Sequence, residues 1–70
     1  MKKVFFIINP NDVKEAKKHL DTILEGKYIL PTVFKMDIAS EKLDSTIDSI
    51  EYILAGIDFE VVINEKFSEN

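Results

Sequence analysis

The stretch Lys2-Lys3-Val4-Phe5-Phe6-Ile7-Ile8-Asn9-Pro10-Asn11-Asp12 opens the chain with five consecutive apolar residues that run into a polar turn. An apolar run this short and unbroken reads as a strand, Val4 to Ile8, buried on both faces. The turn after it reads as the mouth of a helix. Asn9 can cap it with Pro10 at the first helical position, where a missing N–H costs nothing. Alternatively Asp12 caps it, with Glu15 three residues on, as in a capping box. Either way the helix is expected to reach about Glu25 and to stop at Gly26. Val13, Ala16, Leu20, Ile23 and Leu24 make its apolar stripe. Lys14 and Lys18 point away from that stripe, and Lys17 lies at its border.

Residues 27–38 are ambiguous. Tyr28-Ile29-Leu30 has strand composition, but Pro31 lacks a ladder donor and belongs at an edge or a bulge. Val33, Phe34 and Met36 are apolar again. One reading is a single edge strand ending near Pro31, followed by a loop. The other is a tight hairpin turning at Pro31-Thr32, which makes the chain βαββαβ, a ferredoxin-like order. The first is preferred because no Gly or Asn supplies the usual two-residue hairpin turn. Ser40 then caps a second helix ending at Gly56, whose stripe of Leu43, Ile47, Ile50, Ile53 and Leu54 repeats the spacing of the first. Beyond that echo no repeat, low-complexity segment or linker is evident. Phe59, Val61 and Ile63 alternate with Glu60, Val62 and Asn64, the pattern of a strand at a sheet edge. Residues 66–70 read as a frayed tail.

The expected fold is therefore α/β, β-α-β-α-β in one domain, with a small three-stranded parallel sheet in the order 2-1-3 and one helix on each face. Such a sheet cannot cover itself. Seventy residues bury a marginal core. No Cys is present to supply a disulfide, so a homo-oligomer, dimer or larger, is expected.

Composition narrows the function classes. The chain is 46% hydrophobic and 31% charged, as in an ordinary globular protein. No apolar run is long enough for a transmembrane helix, and Asn9 to Lys18 is polar where a secretory signal would be apolar. A cytoplasmic location without membrane contact is expected. All nine basic residues are Lys, and Ile occurs ten times, a bias of AT-rich genomes such as those of some bacteria and their phages. The net charge of −4, with no Arg, argues against direct nucleic-acid binding.

In an open parallel sheet a ligand sits beyond the carboxyl ends of the strands. That places Asn9, Asn11, Asp12 and Asn64, with Glu65 and Lys66, around one candidate site for a nucleotide or nucleoside derivative. Helix capping and turn chemistry demand the same residue types and weigh more heavily. No Gly-rich loop cradles a pyrophosphate, and no nucleophile elbow or zinc motif is present, so neither cofactor nor catalysis is expected. His19 lies four residues after Glu15 and reads as surface pairing. Glu41, Asp44, Asp48 and Glu51 form an acidic ridge on the second helix, preceded by Asp37 and interrupted by Lys42. A solvated face is its plainer reading, and a partner-binding surface the sharper one. Tyr52 falls nearly opposite the buried stripe and is the best single candidate for a contact anchor.

The order of elements resembles the front part of the nucleoside 2-deoxyribosyltransferase-like families, small Rossmann-type proteins. The resemblance lies in Lys3 to Ile8 leading into a Pro-containing turn, in Gly26-Lys27-Tyr28-Ile29-Leu30-Pro31, and in the helix and strand of Ile50 to Ile63. The family tends to have Gly-Pro where this chain has Asn9-Pro10. Its catalytic Glu lies on a helix after the third strand, and Glu65 and Glu69 have no such helix to sit on. The resemblance thus implies the fold without glycosyl transfer. The expected function is a non-catalytic binding module, an inhibitor that occupies a host protein or sequesters a small molecule, with nucleotide-derivative binding as the alternative.

Overall fold

The computed structural model describes residues 1–23 and 26–64. The elements are β1 (Lys2–Ile8), α1 (Val13–Leu20), β2 (Gly26–Leu30), β3 (Val33–Ile38), α2 (Leu43–Ile53) and β4 (Phe59–Asn64), with a 3-10 turn leading into each helix. The strands form one four-stranded sheet in the order β2-β3-β1-β4. Every adjacent pair is antiparallel. The three-stranded parallel sheet expected above is thereby corrected, and the ferredoxin-like βαββαβ order, the less favoured reading, is the one formed.

The correction traces to Pro31-Thr32. These two residues turn β2 directly into β3. No non-glycine residue takes a positive φ among the described residues, so the turn does without the left-handed pair that Gly or Asn would supply. A register shift between Tyr28 and Leu30 absorbs the mismatch instead. A bulge on an edge strand also suits a following Pro.

Both helices pack on one face, where one on each face was expected. Val4, Phe6 and Ile8 of β1, and Phe34, Met36 and Ile38 of β3, are buried in a single cluster with Ala16 and Leu20 of α1, Ile50 of α2 and Leu54 just past its end. Fully burying side chains of this size is worth about 1.5–3 kcal/mol each, which makes this layer the main source of stability. Tyr28, Phe59 and Val61 pack against it from the two edge strands. The alternate residues Lys3, Phe5 and Ile7 point to the opposite face, which no element among the described residues covers.

The helix ends differ from the sequence reading. Asn9 does cap, its side chain accepting from the Asn11 amide at 2.9 Å with Pro10 in the first position. Asp12 makes no cap bond to α1. Ser40 does not cap either, because Ala39 holds the cap position of its turn. Helix α1 stops at Leu20, short of Glu25, where the Thr22 hydroxyl and amide both donate to the His19 carbonyl. Leu24 and Glu25 lie outside the described residues, as do 65–70, including Glu65, Lys66 and Glu69. Gly26 is needed for another reason. A β-carbon there would enter the buried Phe34 ring, so the edge strand approaches β3 closely only without one. Helix α2 likewise stops at Ile53, short of the expected end at Gly56, which instead takes a φ of 87° in the turn that follows. Of the α2 stripe, Ile47 is half-buried and Ile53 is 36% exposed, while Ile50 and Leu54 carry the core contact.

The two halves of the molecule repeat. Phe6 and Met36, Ile8 and Ile38, and Leu20 and Ile50 each stand thirty positions apart, and all six are buried. The turns before the helices are closed by equivalent bonds, Asp12 N to Asn9 O at 2.8 Å and Lys42 N to Ala39 O at 2.9 Å. In the sequence, Ile23-Leu24-Glu25-Gly26 corresponds to Ile53-Leu54-Ala55-Gly56. The chain is thus two β-α-β units related by an approximate two-fold.

Candidate functional site

Three surfaces compete. The first is the turn after β1. Its Asn9 amide donates to the Asp58 carbonyl at 3.0 Å, and its Asn9 side-chain Nδ2 reaches the Asp58 carboxylate at 3.4 Å. The Asp12 carboxylate accepts from the Asp58 amide at 3.1 Å. Asn9, Asn11 and Asp12 are therefore together, and their polar atoms tie the start of β4 to the end of β1. Asn64 is not with them. Because β4 runs antiparallel to β1, Asn64 pairs opposite Lys3 at the other end of the sheet. The four-residue site required parallel strands and is not assembled. Beside the turn lies an open notch of about 400 Å³, lined by Ile7, Ile8, Asn9, Pro10, Asp58, Phe59 and Glu60. Its charged groups are carboxylates, which repel a phosphate.

The second surface is the helix layer. Glu41, Asp44, Asp48 and Glu51 are all exposed, and none has an ion-pair partner among the described residues. Tyr52 is 85% exposed, as its wheel position demanded. The repeat gives the ridge a context absent from the sequence reading: Asp44 and Asp48 occupy the positions that Lys14 and Lys18 hold in α1. One helix presents lysines where the other presents aspartates. On α1 the charges pair locally, Lys18 with Glu15 at 3.7 Å and Lys17 with Asp21 at 3.9 Å. His19 Nε2 lies 3.6 Å from Glu15 in the surface pairing expected for it.

Along the β2 edge lies a cavity of about 440 Å³ between Val13, Lys17, Tyr28, Ile29, Leu30 and Pro31. The Lys17 ammonium sits 4.9 Å from the centroid of the Tyr28 ring. Tyr28 packs edge-on against Phe34 at 5.1 Å. Its hydroxyl is buried without a hydrogen-bond partner. Burial pushes the Tyr28 pKa up, and the Asp21 charge adds to the shift. No sequence signal marked Tyr28 beyond its place in an apolar edge run.

The third surface is the open face of the sheet. Pairing sets Lys3 beside Asp37, Phe5 beside Lys35 and Ile7 beside Val33 on the two central strands. Lys27 flanks this set from β2, and Val62 and Glu60 flank it from β4. Phe5 is half-buried by its neighbours, Ile7 is 38% exposed and Val62 43%. Asp37 accepts Lys3 at 3.6 Å and Lys35 at 3.4 Å. An apolar band through the middle of a sheet, rimmed by charge, is the general form of an interaction surface. Sequence reasoning missed it because it assigned a helix to each face.

Among the described residues no helix is long and apolar enough to cross a membrane, and no group of three or more His, Asp or Glu is placed to hold a metal ion. The chain matches no family model, no curated protein and no solved structure.

Proposed function

We propose that this chain is a non-catalytic protein-binding module whose contact surface is the open face of the sheet. The observation that carries the reading is the uncovered band of Phe5, Ile7 and Val62 across its centre. Covering exposed apolar area gains about 25 cal/mol per Å², and no element among the described residues does so here. Against the nucleotide reading stand the consumption of Asn9 and Asp12 in structural hydrogen bonds and the acidic lining beside them. The α2 ridge serves solubility in this account, with Tyr52 as the anchor of any contact made there.

A photo-crosslinking amino acid placed at position 5, and separately at position 52, tests the assignment in the source cell. Protein adducts from position 5 and none from position 52 are expected. Adducts from position 52 alone would move the contact to the acidic ridge, and none from either would remove the reading.

A further inference from the structure

Resting on that reading, we propose that the occupant of the open face is a second copy of this chain, in a face-to-face dimer whose two-fold axis runs along the strands between β1 and β3. The argument is charge complementarity. Three outward pairs straddle that line: Lys3 with Asp37, Phe5 with Lys35, and Ile7 with Val33. Two sheets stacked with nearly aligned strands admit two dyads, one along the strands and one across them.

With the axis along the strands, β1 lies over the partner's β3 and each row meets itself. Lys3 then faces the partner's Asp37, and Asp37 faces the partner's Lys3, which makes a ring of alternating charge. The Lys35 ammonium faces the partner's Phe5 ring, a cation–π contact. Ile7 and Val33 close into a four-membered apolar cluster. At the flanks, Lys27 comes over the partner's Val62, one row from the partner's Glu60. Neither Lys27 nor Glu60 has an ion-pair partner of its own among the described residues. With the axis across the strands, Lys35 stacks on the partner's Lys35, Lys3 on the partner's Ile7, and Asp37 on the partner's Val33. That arrangement sets like charges together and buries others against aliphatic groups, a cost without compensation. The pattern of charge on the face therefore selects one dyad.

The contact area is modest. Four strands about 4.8 Å apart and about six residues long present roughly 400 Å² in projection. Standard interfaces bury about 800 Å² per partner, so the dimer is expected to be weak and reversible, in the micromolar range.

Sedimentation equilibrium of the full chain from about 5 to about 500 µM, spanning that range, is the test. The wild type should shift from one to two chain masses. Lys3→Asp and Asp37→Lys should each weaken the dimer at least tenfold, because each sets like charges across the dyad. An equimolar mixture of the two variants should recover the dimer mass. The internal pair of residues 3 and 37 is broken in both variants, so recovery can come only from contacts between chains. Ile7→Asp should abolish the dimer with the fold retained by circular dichroism. A wild type that stays monomeric at the top concentration overturns the proposal, as does a dimer indifferent to both charge reversals or a mixture that stays monomeric. If the chain is monomeric yet position 5 crosslinks to another protein, the homodimer falls and the binding reading stands. If it is monomeric and position 5 crosslinks to nothing, both fall.

Discussion

The two glycines stand thirty residues apart at matching places in the repeat, yet they should fail on substitution for opposite reasons. At Gly26 the problem is space. A β-carbon there would lie 2.5 Å from Phe34 Cζ and 2.8 Å from Met36 Cγ. Phe34 is buried and held edge-on by Tyr28, so its ring has little room to yield. Overpacking of this kind costs about 1–3 kcal/mol. The gain from stiffening the unfolded chain returns about 0.4–1 kcal/mol. Gly26→Ala should therefore lose about 1–2 kcal/mol from a total of about 4–10 kcal/mol for a domain of this size. At Gly56 a β-carbon would meet nothing within 4 Å, and the problem is the φ of 87°. Holding an L-residue there costs about 1–2 kcal/mol, so Gly56→Ala should lose about 0.5–1 kcal/mol net. Relief separates the mechanisms. Phe34→Leu should show a favourable coupling of about 1 kcal/mol with Gly26→Ala and none with Gly56→Ala. Gly56→Asn should lose less than Gly56→Ala, since Asn tolerates the left-handed region. Urea unfolding followed by far-ultraviolet circular dichroism measures all of these. A Gly26→Ala variant as stable as its parent, or one that Phe34→Leu does not relieve, would refute the close-approach argument.

Other outcomes follow from single contacts. Tyr28→Phe removes a buried hydroxyl that has no partner, and should leave stability at neutral pH unchanged or raise it by up to about 1 kcal/mol in thermal melts. Because the folded Tyr28 pKa lies above its usual 10.0, the folded chain holds that proton longer than the unfolded one. The associated stability is complete below pH 10 and is lost as pH rises through the folded value. A melting series above pH 10 should show that decline in the parent and less of it in Tyr28→Phe. Leu20→Ala and Ile50→Ala, at equivalent places in the two halves, should each cost about 2–5 kcal/mol in denaturant titrations. Asn9→Ala should cost about 1 kcal/mol through its lost cap, whereas Ser40→Ala should be within about 0.5 kcal/mol of the parent because Ser40 caps nothing.

The elements themselves were legible without coordinates. Apolar spacing located both helices through Ala16, Leu20, Ile50 and Leu54. It also made Val4 to Ile8 an interior strand and Phe59 to Asn64 an edge strand. Asn9-Pro10 announced the turn that begins the first helix. These are local properties, since periodicity and capping act within a few residues. How the elements pair was not legible. The hairpin at Pro31-Thr32 depended on a bulge that shows only once β2 has a partner, and with it went the direction of every strand. That direction sends Asn64 to the far end of the sheet from Asn9. The repeat was hidden because burial is conserved between the halves while side chains are not: Phe6 and Met36 fill equivalent space, and cores accept such exchanges. Tertiary packing alone decided that both helices share one face, because a helix stripe specifies that it must be buried and not which side of the sheet buries it. The same decision left Phe5, Ile7 and Val62 uncovered.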